Sequence, residues 1–363
     1  MPHYLEEQDS HVTKIAVLGA AGGIGQSLSL LLKTGLAPLV LRSPGSHVHM
    51  AMYDVNRDAV AGAATDLSHI DTPVSVSFHA PDDAGLERAL TRAQIVVIPA
   101  GVPRKPGMTR DDLFAVNARI VAGLGDAIAA HCDLAHVAVL LISNPVNSLV
   151  PVLVERLAAH GAEQAARHVF GLTQLDAVRA STFLRDALGS DSHDMPLVPV
   201  VGGHSGDTIV PLLSQAPGAD ALSPDARRAL VHRVQYGGDE VVQAKNGAGS
   251  ATLSMAYAAA RVTAKFVELQ MGLVPELHDT LYVQLRDARG RLLAPGAEQV
   301  AELVPGVEYF SVPVTVTGKG VSHVHGELLA RMDAHERAQL LPVCVKNLAA
   351  NIRAGQEWVA AAP

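Results

Sequence analysis

The sequence predicts an α/β protein, with a doubly wound parallel sheet in its first part and a mixed α+β domain in its second. From Lys14 to about residue 143, short β-rich runs alternate with longer helical stretches, which predicts a parallel sheet with crossover helices. The runs are almost continuously apolar, as strands are when helices bury both faces of a sheet. They are KIAVLG, HMAMYDV, VSVSF, QIVVIPAG and VAVLLIS. Because the alternation stops after Phe170, we expect a second domain to begin there.

One segment interrupts the first domain. Leu36–His49 contains Pro38, Pro44, Gly45 and two serines, and such residues break regular structure. We therefore predict an inserted surface loop between the first helix and the second strand.

In the second part, we expect a helix from about Leu175 and strands within MPLVPVVGG and TIVPLLS. Two further helices are expected near residues 225–245 and 250–270, followed by short β-like runs from Leu281 to Val316. Apolar residues at helical spacing predict a terminal amphipathic helix from about Asp333 to Val359.

Length and charge restrict the class of function. A chain of 363 residues suits two domains of α/β size. The formal net charge is −8 and no run is rich in Lys or Arg, whereas nucleic-acid binding needs concentrated positive charge. We therefore expect a small-molecule substrate and no nucleic-acid partner.

The cysteines and the first residues bear on the cellular location. Cys132 and Cys344 are far apart, with no CxxC pattern and no Cys/His spacing typical of zinc, so we predict neither a disulfide framework nor a metal site. Acidic residues in the first dozen positions argue against a targeting peptide. Apolar runs such as Val137–Ile142 are far shorter than the roughly 20 residues that cross a bilayer. We expect a cytoplasmic protein without a membrane partner.

A glycine-rich turn follows the first predicted strand and precedes a helix-like run, QSLSLLLK. At such a turn, backbone N–H groups can approach a pyrophosphate at the helix N-terminus. The spacing is GxxGxxG, so the usual GxGxxG pattern is met only loosely, and a glycine turn without a ligand is the alternative. The turn comprises Gly19, Ala20, Ala21, Gly22, Gly23, Ile24 and Gly25.

Asp54 ends the second apolar strand, where a carboxylate can bind both hydroxyls of an adenosine ribose. The same charge would repel a 2′-phosphate, so the residue favours NAD over NADP. The alternative is an ordinary aspartate that caps the next turn.

In the second part, His204 lies in a glycine-rich turn between two apolar runs, GGHSG. Asp176 and Arg179 are three residues apart on a predicted helix and so share a face. The carboxylate could orient the imidazole and favour its protonated form, while the guanidinium could bind a substrate carboxylate. Thr173 and Asp176 also fit a helix-start pattern, so Asp176 could instead cap its helix.

Two further segments follow strands at the sheet edge where open α/β sheets bind ligands. The loop GVPRKPGMTR carries Arg104 and Arg110 between glycines and prolines, as expected of a stiff flap over an anionic substrate. Ser143 and Asn144 follow the fifth strand, where the amide could contact substrate or cofactor. A solvated basic loop and an Asn-Pro turn are the respective alternatives.

Together, the motifs GAAGGIGQ, AGVPRKPGMTRDDL, ISNPVN, LTQLDAVRA and GGHSGDTIVPLLSQ resemble those of the NAD-dependent malate dehydrogenases, in the branch shared by bacteria and mitochondria. The resemblance extends from about Lys14 to Trp358. It implies reversible hydride transfer between (S)-malate and NAD, giving oxaloacetate and NADH, and a homodimer.

The resemblance also implies roles for individual residues. His204 would be the acid/base and Asp176 its partner, while Arg179 and Arg104 would bind the two substrate carboxylates and Arg110 would polarise the carbonyl. The implied cofactor neighbours are Gly19 to Gly25, Asp54, Asn117, Ile142, Ser143, Asn144 and Met255, with Asn144 also touching substrate.

These readings predict residues 1–12 as a flexible arm, 13–171 as an NAD-binding Rossmann domain and 172–360 as a substrate domain. A lactate-type dehydrogenase is one alternative, although it should lack a cation at position 104. A dinucleotide-sensing module without turnover is the other, although it would not need the histidine, its aspartate and three arginines.

Overall fold

Six parallel strands and six helices form the first half of the chain in the computed structural model, which describes residues 12–102, 110–162, 164–189 and 195–361. The strands are β1 (Val12–Leu18), β2 (His47–Tyr53), β3 (Val74–His79), β4 (Ile95–Ile98), β5 (Ala138–Leu141) and β6 (Val169–Gly171). The helices are α1 (Gly23–Gly35), α2 (Ala37–Leu41), α3 (Arg57–Ser68), α4 (Gly85–Leu90), α5 (Arg110–His131) and α6 (Val146–Ala159).

The strand order β3-β2-β1-β4-β5-β6 confirms the predicted doubly wound sheet. All five neighbouring pairs are parallel. The chain leaves β1 towards β2 on one side and later returns to β4 on the other, so β1 and β4 flank the point where the winding reverses. In open α/β sheets, ligands bind at the carboxyl edge beside such a point.

The second half adds five strands and six helices among the described residues. The strands are β7 (Val200–Gly202), β8 (Ile209–Pro211), β9 (Leu277–Gln284), β10 (Tyr309–Thr317) and β11 (Gly320–Val324). The helices are α7 (Gln174–Ala187), α8 (Pro224–Ala244), α9 (Leu253–Gln270), α10 (Ala297–Leu303), α11 (Glu327–Ala330) and α12 (Leu341–Ala361). A π-helical turn, Glu336–Leu340, leads into α12.

These later strands pair antiparallel and continue the same sheet. Gly171 of β6 pairs with Tyr282 of β9, which joins the two parts edge to edge. The larger apolar core extends from Ile15 on β1 to Ile352 on α12, whereas a smaller one, including Leu184 and Val234, lies between α7 and α8. The mixed α+β character predicted for the second part is confirmed.

The prediction of a surface loop over Leu36–His49 is wrong for much of the segment. Residues Ala37–Leu41 form helix α2, and His47 already begins β2. Leu39 and Val40 are buried in the larger core, so apolar contacts order a stretch whose prolines and glycine suggested a loop. Only the short link between α2 and β2 fits the prediction.

Two helical stretches, Gly23–Leu41 and Leu113–His131, are long and apolar enough to cross a membrane by length and composition. In this fold α1 packs on α9, and α5 packs on α6. Buried helices of a globular core meet the same criteria, so the two stretches are weak indications of a membrane span.

Candidate active site

The glycine-rich turn after β1 is built for close approach. Gly19 has a φ of +99°, which side chains rarely tolerate, and a Cβ there would lie 2.6 Å from the backbone of Ala100, which follows β4. A Cβ on Gly25 would lie 2.6 Å from Cα of Ala20. The turn therefore needs glycine where β1 meets β4 and where α1 packs on the turn.

Helix α1 begins directly after the glycine-rich turn, and the N–H groups of its first residues are available to a ligand. Gly22 precedes the helix without a side-chain cap, and the first turn contains no acidic residue. In any α-helix the first N–H groups lack partners within the helix, and together with the helix dipole they favour an anion. The geometry fits the pyrophosphate of a dinucleotide.

Asp54 follows β2 and faces the glycine-rich turn. Its Oδ2 accepts a hydrogen bond from the backbone N of Ala21 at 2.9 Å, and its Oδ1 accepts one from the backbone N of Asn56 at 3.0 Å. The second bond is the local turn-capping role considered as the alternative, and the first links the carboxylate to the predicted phosphate turn. Asp54 thus lies where a ribose acceptor is expected, while its ribose role stays a prediction.

The loop after β5 lies at the same edge. Ile142 and Ser143 are buried, and the Ser143 hydroxyl donates to the carbonyl of Ile98 at 3.0 Å and also to that of Ala100. Asn144 is exposed, so its amide is accessible as the predicted contact requires. Ser143 ties the loop after β5 to the end of β4.

Asn117 joins the loops after β4 and β5. It is 2 % exposed, and its Oδ1 accepts from Val102 N at 2.8 Å while its Nδ2 donates to Asn144 O at 2.8 Å. This buried asparagine therefore positions the backbone around the crevice. Direct contact with the cofactor stays a prediction.

Asp176 and His204 meet although 28 residues separate them. Nδ1 of His204 donates to Oδ2 of Asp176 across 2.6 Å, and the two side chains are 8 % and 0 % exposed. The N-terminus of α7 has no side-chain cap hydrogen bond, and the backbone N of Thr173 donates to Oε1 of Gln174 instead of to Asp176. Among the described residues, no hydrogen bond supports the alternative in which Asp176 caps its helix.

This pairing determines what the imidazole can do. With Nδ1 engaged by the carboxylate, Nε2 is the nitrogen that can exchange a proton with a substrate. Oδ1 of Asp176 is buried and has no hydrogen-bond partner among the described residues. The pair resembles the oriented imidazole that acid/base catalysis requires.

Arg179 lies one helical turn after Asp176 on α7. Its Nη1 is 3.9 Å from Oδ1 of Asp176, and its side chain is 13 % exposed. Burial lowers the pKa of Arg179 while Asp176 and Glu240 oppose the shift, yet a guanidinium stays charged in proteins. Within the described part of the chain its guanidinium makes no hydrogen bond, so it can bind a carboxylate beside His204.

The remaining predicted residues are placed less fully. Met255 is buried on α9, which packs on α1, and nearby Thr252 would contact a Cβ on Gly23 at 3.1 Å. Arg104 lies outside the described residues, as does the side chain of Arg110. The structure thus brings together His204, Asp176 and Arg179, and separately gathers at the sheet edge residues that are predicted to bind the dinucleotide.

Sequence reasoning missed Asn147, which belongs to the quoted ISNPVN motif. It is 1 % exposed at the start of α6, and its Oδ1 accepts from the backbone N of His204 at 2.8 Å. An amide within the apolar run VNSLVPVLV is the signal that could have indicated a buried polar partner.

Comparisons with known proteins agree with this arrangement. The family model described as lactate/malate dehydrogenase, NAD binding domain, matches residues 13–171. The model described as lactate/malate dehydrogenase, alpha/beta C-terminal domain, matches residues 173–359.

Individual relatives resemble the chain over nearly its whole length. The "Malate dehydrogenase, cytoplasmic" of Saccharomyces cerevisiae is 54% identical, covering 99% of this chain and 98% of its own. The "Malate dehydrogenase, mitochondrial" of Schizosaccharomyces pombe is 42% identical, covering 99% and 95%. The crystal structure of Cryptosporidium parvum malate dehydrogenase superposes with a TM-score of 0.72 at 25% identity, covering 95% of this chain and 99% of that one.

Proposed function

Because the chain belongs to the lactate/malate dehydrogenase family, we propose that it catalyses reversible hydride transfer between (S)-malate and NAD, giving oxaloacetate and NADH. The observation that carries the proposal is the buried hydrogen bond between His204 and Asp176, with 2.6 Å between Nδ1 and Oδ2. Arg179 lies one turn after Asp176 on helix α7. The 54% identity to a relative named malate dehydrogenase favours malate over lactate.

The residues at the carboxyl edge of the parallel strands would hold the cofactor. The glycine-rich turn and the uncapped start of α1 offer N–H groups to the pyrophosphate, and Asp54 would accept from the ribose hydroxyls. When bound, NAD supplies the hydride acceptor that amino-acid side chains lack.

The protein's own residues would bind the substrate and move the proton. Arg179 would hold the carboxylate next to the reacting carbon, and Nε2 of His204 would take the hydroxyl proton of malate. The resulting imidazolium would be stabilised by Asp176 through Nδ1–H. In the reverse direction, protonated His204 would return the proton to the oxygen of oxaloacetate.

Arg104 and Arg110 complete the proposal from sequence alone. Arg104 would bind the distal carboxylate and Arg110 would polarise the carbonyl, as the family resemblance implies. A cation at position 104 would distinguish a malate enzyme from the lactate-type alternative. A sensing module without turnover is disfavoured by the buried His204–Asp176 pair, which binding alone does not need.

The cellular setting and assembly are part of the same proposal. We infer a cytoplasmic homodimer. Each subunit would consist of an NAD-binding domain over residues 13–171 and a substrate domain over residues 172–360. The cytoplasmic relative supports the location. Leu253 and Tyr257, which are 73% and 47% exposed one turn apart on α9, support a contact between copies. Light scattering coupled to size exclusion would test the dimer.

A spectrophotometric assay tests the activity. Purified protein with NADH should consume oxaloacetate with a kcat/KM far above that for pyruvate. A preference for pyruvate would favour the lactate-type alternative, and absence of turnover with either acid would favour the sensing module.

A further inference from the structure

The Asn147 side chain binds the turn that carries His204 from beneath. Its Oδ1 accepts the backbone N–H of His204 at 2.8 Å. Its Nδ2 lies 3.0 Å from Oγ of Ser205 and 3.1 Å from Oγ1 of Thr208. A single amide group therefore contacts both the histidine and the residues that close its turn.

The turn packs tightly against this amide at Gly203. A Cβ on Gly203 would lie 2.7 Å from Oδ1 of Asn147 and 2.6 Å from Oγ1 of Thr208. Thr208 also closes the turn itself, because its Oγ1 accepts from Ser205 N at 3.0 Å and donates to Ser205 O at 2.8 Å. The backbone before His204 is thus packed directly on the Asn147 amide.

Other elements fix Asn147 in turn. The hydroxyl of fully buried Tyr282 on β9 donates to the Asn147 carbonyl at 3.1 Å, and Nδ2 of Asn147 lies 3.0 Å from Oδ1 of Asn351 on α12. One turn later on α12, a Cβ on Gly355 would collide with the carbonyl of Ser148. Asn147 is therefore held by β9 through its backbone carbonyl and by the C-terminal helix through its side-chain amide.

Asn147 also lies three residues after Asn144, in the segment that faces the cofactor crevice. Its amide therefore sets the distance between that segment and the imidazole, and a displacement of about 1 Å at a reacting group can cost roughly 100-fold in rate. We propose that Asn147, braced by Asn351, is a positioning residue that holds His204 in register with the crevice. The inference rests on the proposed acid/base role of His204.

A single-turnover experiment tests the proposal. Wild type and Asn147→Ala, in excess over NADH, are mixed with oxaloacetate in a stopped-flow instrument, and the rate constant for NADH loss is measured. This rate constant does not depend on the fraction of folded enzyme, so lower stability alone leaves it unchanged. We expect Asn147→Ala to lower it about 10- to 100-fold, with the Kd for NADH within about twofold of wild type because the glycine-rich turn is untouched.

Ser214→Ala is a matched control outside the proposed site. Its hydroxyl donates to the buried carboxylate of Glu336 at 2.6 Å, so the substitution should lower Tm but leave the single-turnover rate constant unchanged. If Asn147→Ala behaves in the same way, Asn147 is only structural and the proposal is wrong.

Two further variants keep the test decisive. Should Asn147→Ala fail to fold, Asn351→Ala, which removes the brace on Asn147 together with the longer contact of Asn351 Oδ1 with Oγ of Ser205 at 3.5 Å, should lower the rate constant about 2- to 10-fold. A wild-type value would overturn the proposal. His204→Asn separates failure of the acid/base assignment from failure of the positioning role. A wild-type rate in that variant would refute the acid/base assignment and with it the positioning role, whereas a slow His204→Asn beside wild-type Asn147→Ala and Asn351→Ala would refute the positioning role alone.

Discussion

Replacing Asp176 with asparagine tests the catalytic pair directly. The carboxylate is 0 % exposed, and its Oδ2 accepts from Nδ1 of His204 at 2.6 Å. An amide can place either its oxygen or its NH2 group against Nδ1. In the first case the imidazolium loses its charged partner, and in the second the proton moves to Nε2, which then cannot accept one from malate.

The expected loss follows from the bond that is removed. A hydrogen bond to a charged group contributes about 1.5 to 3 kcal/mol, and that stabilisation applies to the imidazolium formed as malate is oxidised. Turnover should therefore fall roughly 10- to 150-fold. KM for oxaloacetate should change little, because Arg179 stays charged.

The assay is steady-state turnover in both directions. Malate oxidation forms the imidazolium and oxaloacetate reduction starts from it, so both directions should slow in Asp176→Asn. Binding of NADH, followed by fluorescence, should be unchanged.

Asp126→Asn is the matched control. Asp126 also accepts a hydrogen bond from a histidine, Nε2 of His160 at 2.9 Å, and binds Arg156, but it lies on α5 away from the catalytic turn. Both substitutions should lower Tm, and only Asp176→Asn should change turnover. If Asp176→Asn loses stability while its turnover matches wild type, the aspartate is structural and the catalytic assignment fails.

Three further results are expected. Arg104→Gln should lower kcat/KM for oxaloacetate roughly 30-fold or more while sparing pyruvate, since one charge pair costs about 2 to 5 kcal/mol when broken, and an unchanged ratio of the two would show that Arg104 does not read the distal carboxylate. Wild type should prefer NADH over NADPH about tenfold or more, because the Asp54 carboxylate repels a 2′-phosphate. Asp54→Ser should reduce that preference, and a variant with the same NADH preference as wild type would contradict the ribose role. Burial, with a smaller contribution from Lys14, lowers the pKa of His49 and of His79 to about 4. The free energy of unfolding should therefore decrease as pH falls from about 6.5 towards 4, because the unfolded chain binds protons that the folded chain excludes. The urea midpoint of the double variant His49→Gln/His79→Gln should fall less than that of wild type over this pH range, and an equal fall would contradict the reasoning.

Much of the fold could be predicted because its signals are local. Continuous apolar runs such as those of β1 and β4 indicate strands buried on both faces, and the helical stretches between them imply parallel pairing. The need for glycine at position 19 could also be predicted, because a turn between a strand and a helix often requires a residue without Cβ. The structure gives Gly19 a φ of +99° and a close contact with Ala100. Local signals failed at α2, where burial of Leu39 and Val40 outweighs the prolines on either side.

What the sequence alone determined was which chemical groups lie on which element: the glycine-rich turn after β1, Asp54 after β2, and Asp176 with Arg179 on one helix face. Tertiary structure decided the partners. Asp176 had two plausible roles along the chain, and only the approach of a turn 28 residues away made it the partner of His204 instead of a helix cap. The Asn147 amide likewise contacts His204 and Asn351, which are separated from it by 57 and 204 positions along the chain. Helix and turn preferences act between near neighbours and leave a mark in the sequence, whereas these hydrogen bonds exist only after burial of the apolar core has brought distant elements together.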